Sequence, residues 1–388
     1  MRIVGVEVTT VSVPCLRPVR WRYGTMAGVT SALVSIRTDA GIEGFGEAPG
    51  EPSIGIIRET IDLLAPALVG EDPLELRRLM ERTRSRGAAH FPFVSNVVLA
   101  AFEMALWDIC GKALDAPVHQ LFGGLTTRSV PFYWHVNSVD GSEEEAVRHA
   151  KEGLAQGFTT LYMKGSDDAR RDLELMLALR REAGPDIALR LDPNEGWNYR
   201  DCLKNEGLLH EVGLEFLEQP FTMRALRQAR ELRRRLGVPV AANQSAWFLP
   251  DVHDVLDAEA ADVVVTGLHQ AGGLLNLDAA NAICGIFGVP LVRHSLCDLG
   301  VATAAALQLL GTWNPAEVAH QTHLTLVEHD LLAERLIFAG GCLEVPAGPG
   351  IGVELDGAAV ERYAKQFRDE GEYASYHHHE QDYSSRPL

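Results

Sequence analysis

The run IALRLDP at residues 187–193, followed by LEFLEQP at 214–220 and PVAAN at 239–243, decides how this chain is read. Each is a short apolar segment that stops on an acidic or amide side chain: Asp192, Glu218, Asn243. Working outward, the same grammar recurs in VPFYWHV (130–136), TTLYMKG (159–165), DVVVTG (262–267), VPLVRH (289–294) and EVAHQ (317–321), with helix-like patterns between them. Successive runs start roughly 20 to 30 residues apart, which is the rhythm of repeated βα units closing into a parallel barrel. Strands covered on both faces are apolar along their length, so their polar ends are the informative exceptions. In a barrel those ends share the C-terminal rim. Lys164, Asp192, Asn194, Glu218, Asn243 and His294 are expected to meet there.

Before residue 128 the grammar differs. IVGVEVTTVSV (3–13) and SALVSIRTDAGIEGFGE (31–47) alternate as strands do, with a turn at Asp39-Ala40-Gly41. Helical spacing follows at 56–68 and 93–114, and Gly123-Gly124 ends it. The expected organisation is an α+β unit over 1–128, a (β/α) barrel over 129–344, and a terminal segment over 345–388 with a polar tail.

A chain of 388 residues exceeds one simple core and suits a large barrel with an attachment. Its charge is 35 basic minus 53 acidic residues, or −18, which argues against nucleic-acid partners. No run of 18 apolar residues occurs, and the N-terminus alternates where a signal peptide would be continuously apolar, so the expectation is a cytoplasmic protein without a membrane anchor. Six cysteines without CxxC spacing read as reduced thiols. Motifs for nucleotide phosphates, zinc proteases and serine hydrolases are absent.

Asp192, Glu218 and Asn243 offer hard oxygen donors from successive strands. Two carboxylates and an amide carbonyl suit Mg²⁺, or Mn²⁺, in an open site that keeps positions for water or substrate. Helix capping is the alternative use of such residues in βα loops.

Taken together, GIEGFGEAPG (41–50), LYMKG, DPNEGW (192–197), EQP, AANQS, RHS (293–295) and PAGPGIGVELD (346–356) make the chain resemble the enolase superfamily. Asn at the third ligand position, DPN, His-Ser and PGIGVELD look most like the glucarate dehydratase subgroup, with mandelate racemase and muconate-lactonising enzymes as similar relatives. The resemblance implies a modified TIM (β/α)7β-type barrel whose N-terminal capping domain is completed by the C-terminal segment. It also implies chemistry: a base removes the proton α to a carboxylate and the metal stabilises the enediolate.

On that pattern Lys164 is the candidate base and His294 the second acid/base. Two positions depart from it. Tyr162 stands where a first lysine is usual, and is expected to donate a hydrogen bond to substrate instead. Gly267 stands where the subgroup has an Asp beside the histidine, and His269 is the residue expected to compensate or to bind substrate. Asn194 is a candidate donor to a polyol. The segment PVRWRYGTMAG (18–28), expected as a loop between the first strands, offers Arg20 or Arg22 to an anionic tail. His377, His378 and His379 lie in the polar tail and are expected to do little.

The resulting expectation is a Mg²⁺-dependent dehydratase of acid sugars, with a small-molecule carboxylate as partner and homo-oligomerisation expected. A racemase, epimerase or cycloisomerase using the same first step is the alternative. A non-catalytic metal-binding barrel is a third reading, resting on the departures at Tyr162 and Gly267.

Overall fold

The computed structural model describes residues 1–86, 91–138, 141–313 and 318–373, so the three tail histidines lie outside the described residues. Three antiparallel strands open the chain: β1 (Ile3–Trp21), β2 (Gly24–Thr38) and β3 (Glu43–Pro49), in the order β1-β2-β3. The first two run much further than expected. Val19 pairs with Met26, Arg20 with Thr25 and Trp21 with Gly24, so 18–28 is hairpin rather than loop. Only Arg22 and Tyr23 turn, and alternation of buried Val19 and Met26 with more exposed neighbours carries the pairing through.

Three helices cover this sheet: α1 (Ile54–Leu64), α2 (Leu76–Ser85) and α3 (Pro92–Leu114). Among the described residues α3 alone is long and apolar enough to cross a membrane, yet 83% of its apolar window is buried in the protein. It lies so close on β3 that a Cβ at Gly46 would overlap the Ala101 carbonyl, which explains the glycine spacing of GIEGFGE. Asp108 of α3 accepts the Phe45 amide at 3.0 Å and the Ile351 amide at 2.9 Å, joining sheet and C-terminal segment. The last helix, Gly357–Glu370, returns to the same sheet, where Ser12 donates to Gly371 O at 2.9 Å.

β4 (Ser129–Pro131) pairs with β12 (Cys342–Glu344) beneath the barrel. Seven parallel strands then form a curled sheet: β5 (Trp134–Val136), β6 (Thr160–Lys164), β7 (Ala188–Asp192), β8 (Phe216–Glu218), β9 (Val240–Ala242), β10 (Val263–Thr266) and β11 (Leu291–Arg293). Residues 318–321 close it without being a full strand. His320 bridges to Phe132 on one side, and Gln321 donates to Arg293 O at 2.9 Å on the other.

Strand periodicity of two sorts the side chains. Leu161, Met163, Leu189, Leu191 and Leu217 face the helices, whereas Tyr162, Phe216, Ala241, Val265 and Val292 fill the barrel with Tyr133. Arg190 is fully buried in that interior, its guanidinium 4.5 Å from the Phe216 ring centre and 5.2 Å from Tyr133, and it donates to Glu215 at 2.6 Å. A buried charge is tolerable only with such partners. Removing Phe216 from this layer would cost about 3–5 kcal/mol. One layer higher, the same inward face presents Lys164, Asp192, Glu218 and Asn243.

Candidate active site

Register brings the strand ends level: Lys164 lies opposite Asp192, and Glu218 opposite Ala241, two residues before Asn243, which directly follows the strand. Asp192 is completely buried and accepts four hydrogen bonds, three of them on Oδ2. Its Oδ2 accepts Lys164 Nζ at 2.6 Å, the Tyr162 hydroxyl at 2.7 Å and Asn194 Nδ2 at 2.9 Å, while Oδ1 accepts the Asn194 amide at 2.8 Å. Glu218 sits beside it, buried, with Oε1 lacking a hydrogen-bond partner among the described residues. Burial, and then the Asp192 carboxylate, push its carboxyl well above the usual range.

Asn243 is oriented by two bonds. Its Nδ2 donates to Val265 O at 2.9 Å and its backbone amide to Gln219 Oε1 at 3.0 Å, which leaves the carbonyl oxygen as the end available to a ligand. Two crowded carboxylates, one orphaned oxygen and one amide carbonyl are a donor set that a hard divalent cation satisfies. The fit is one of oxygen donors only; among the described residues no three His, Cys, Asp or Glu side chains gather as a metal cluster.

Above this floor lies a cavity of about 770 Å³, partly open to solvent. Lys164, Asn194, Asn243 and His294 line it, with Trp21 and Met26 of the hairpin and Glu51 of the capping domain as its roof. Lys164 and His294 come from β6 and from the end of β11, on opposite sides of the closing segment. His294 is buried and its Nδ1 has no hydrogen-bond partner among the described residues. Burial, with the Lys164 charge next, holds the imidazole well below its ordinary range, so it is neutral at neutral pH.

Three expected contacts are placed elsewhere. Tyr162 is fully buried below the cavity and stacks on Tyr133 with ring centres 4.6 Å apart; it braces Asp192 rather than reaching substrate. Its inward position one layer beneath Lys164 dictates this. His269 is withdrawn too, because the chain turns into a short helix, Leu268–Ala271, directly after β10. Its Nε2 meets Glu47 O at 2.8 Å and its Nδ1 meets Asp298 at 3.1 Å, so it joins barrel to capping domain. Arg22 points to the rim, pairing with Asp167 at 2.6 Å and donating to Asn194 O at 2.9 Å. The strand-like hairpin fixes it there.

Gly267 lacks an Asp for a steric reason. A Cβ at this position would overlap the His294 carbonyl, so the backbone of β11 occupies the room a carboxylate needs. His135, Gln244, Trp247, Ser295, Gln321 and His323, none of them given a role from sequence, also line the cavity. His135 and Trp247 occur in segments that end barrel strands, and that position was the available signal.

Comparison with known proteins agrees with this architecture. Residues 4–123 match the mandelate racemase / muconate lactonizing enzyme N-terminal domain, and residues 145–359 match the enolase C-terminal domain-like family. A chloromuconate cycloisomerase of Cupriavidus pinatubonensis is 29% identical, the match covering 87% of this chain and 91% of that one. The L-Ala-D/L-Glu epimerase of Bacillus subtilis is 28% identical over 91% and 97%. A probable glucarate dehydratase of Streptomyces coelicolor is 29% identical over 84% and 82%. Among solved structures, an enolase described as a putative sugar isomerase from Streptomyces coelicolor superposes with a TM-score of 0.86 at 29% identity, covering 96% of this chain and 99% of that one.

Proposed function

This chain belongs to the enolase superfamily, and from that membership we propose that it removes the α-proton of a hydroxylated carboxylate and eliminates the β-hydroxyl, as an acid-sugar dehydratase does. One observation carries the choice of substrate. Among the cavity-lining residues, Asn194 Oδ1, Gln244 Oε1, Trp247 Nε1, His135 Nε2 and His294 Nδ1 are buried and find no hydrogen-bond partner among the described residues. Leaving such groups unmet is costly, and hydroxyl groups, which both donate and accept, meet them. An unsaturated diacid without hydroxyls would leave the acceptors among them unsatisfied.

Asp192, Glu218 and Asn243 would hold Mg²⁺ or Mn²⁺. When bound, the ion supplies Lewis-acid stabilisation of the charge that grows on the substrate carboxylate as its α-proton leaves. The protein's own groups move the protons. Neutral His294 accepts the α-proton on its ring and, now an imidazolium, returns it to the β-hydroxyl oxygen as the carbon–oxygen bond breaks. Water leaves, and the enol becomes a 2-keto-3-deoxy acid. Because one residue serves as base and then acid, the elimination needs no orienting Asp at position 267. Lys164 Nζ, held on Asp192, lies on the other side of the cavity as a second proton carrier.

That second carrier supports an alternative, racemisation or epimerisation, in which Lys164 and His294 serve opposite faces; the epimerase relative fits it. Proton NMR in D₂O with Mg²⁺ and a panel of aldonates and aldarates separates the two. A new methylene at C3 marks dehydration, and α-proton washout with the skeleton intact marks epimerisation. Absence of both, with Lys164→Ala indistinguishable from the parent, would sink the enzymatic reading.

A further inference from the structure

Two imidazoles on the cavity wall take no part in the chemistry above. His323 turns Nδ1 to Ser295 Oγ at 2.8 Å, and the same oxygen receives the Asp298 amide at 3.2 Å. Having accepted that amide, the Ser295 hydroxyl has one hydrogen to give, and among the described residues His323 Nδ1 is the acceptor it reaches. With the Ser295 hydroxyl donating to Nδ1, the proton of the neutral ring resides on Nε2. Burial keeps the ring neutral, holding it at about 4 against the pull of Asp298.

Asp298 is itself held from three sides. It pairs with buried Arg293, meets His269 Nδ1 at 3.1 Å and accepts the Leu296 amide at 3.1 Å. The tautomer of His323 is thus set by a chain of fixed groups reaching back to the capping domain through His269 and Glu47. Beside it stands His135, with ring centres 5.2 Å apart. Neither nitrogen of His135 is hydrogen-bonded among the described residues, and Nε2 is fully buried. Both residues line the cavity.

We propose that His323 and His135 form a hydroxyl-selective subsite, in which one substrate hydroxyl accepts from His323 Nε2 and donates to a ring nitrogen of His135. A donor next to an unmet acceptor selects a group that is both. A carboxylate oxygen uses only the first, and an ammonium uses only the second. This subsite rests on the proposed action on hydroxylated acids and locates a contact that decides among them.

The test is calorimetric binding, with Mg²⁺ present, of five- and six-carbon aldonates and aldarates, each paired with analogues lacking one hydroxyl. Wild type, His323→Phe and Ser295→Ala are compared after thermal melts show that each is folded. Loss of one particular hydroxyl is expected to weaken binding to wild type about 10- to 100-fold. His323→Phe should bind both members of that pair alike, and Ser295→Ala, which frees the tautomer, should discriminate less than wild type. Undiminished discrimination in His323→Phe, or in Ser295→Ala should the first variant fail to fold, overturns the subsite. So does a wild type that binds no hydroxy acid in the panel. Hydroxyl-dependent binding abolished in His323→Phe, without α-proton exchange in D₂O, leaves the subsite standing and removes the dehydratase reading.

Discussion

Tyr162 and Lys164, two residues apart on one strand, converge on the same oxygen: Asp192 Oδ2 accepts the phenol at 2.7 Å and the ammonium at 2.6 Å. The tyrosine thereby orients a metal ligand from beneath, while the lysine, bonded to the same oxygen, also lines the cavity. Tyr162→Phe keeps the packing and removes the bond. The expected result is a loss of Mg²⁺ affinity of about 10- to 100-fold, read by following the melting temperature against metal concentration. Unchanged affinity would mean that Lys164 and Asn194 suffice to hold Asp192.

Removing either proton carrier should separate their roles. His294→Asn is expected to lower dehydration by about 10²- to 10⁴-fold, with substrate binding largely kept. Lys164→Ala should affect α-proton exchange from one stereoisomer more than from its epimer. Steady-state rates and exchange in D₂O on paired epimers check both.

The acid limb of the pH–rate profile should also be displaced. His294 acts as a base only when neutral, and burial with the Lys164 charge lowers its affinity for protons. Activity is therefore expected to persist below the ordinary histidine range near pH 6.5 before falling. A limb centred at or above that value would assign the limiting base elsewhere.

Gly267→Asp restores the residue that the glucarate dehydratase pattern carries, yet it should not restore a dyad. The added side chain overlaps the His294 carbonyl, so strain of about 1–3 kcal/mol and a displaced His294 are expected. Urea denaturation and the dehydration rate measure the two effects. A more active variant would show that β11 yields.

Glu47 and Glu103 form a matched pair at the seam between sheet and barrel. Glu47 accepts the Leu299 and Ala302 amides at 2.6 and 3.0 Å, and Glu103 accepts the Leu275 amide at 2.9 Å. Burial pushes each carboxyl up to about 7 from an ordinary 4.5. A raised folded-state value favours the protonated fold, so this stabilisation is full below about 4.5 and lost as pH rises through about 7. The shift is worth at most about 3 kcal/mol per group. Glu103→Gln does not titrate, so its stability penalty relative to wild type should shrink between about pH 5 and about pH 8. Denaturation at both values tests this.

The barrel was legible because apolar runs with polar ends are a physical demand of parallel strands, and Lys164, Asp192, Glu218, Asn243 and His294 all sit at those ends. What escaped was depth. Tyr162 and Lys164 share a face, and sequence gives the face but not which layer meets the cavity. His269 was misjudged because a turn of helix after β10 reverses its direction. Arg22 was misjudged because two long strands pair to their tips, which a Gly-flanked, aromatic-rich segment does not announce. His135 and His323 depend on non-local closure of the barrel by residues 318–321, a contact between the first strand and the last.

The seam has a consequence for descent. Glu47 and Glu103 start two barrel helices, Gly300–Leu310 and Leu274–Phe287, from another part of the chain, as caps supplied at a distance. The substrate-covering part and the proton-moving part are therefore not interchangeable modules. In a hybrid joining this sheet to the barrel of a relative, both buried carboxylates would remain, so its stability would depend on whether that barrel's helices begin where Glu47 and Glu103 can accept their amides.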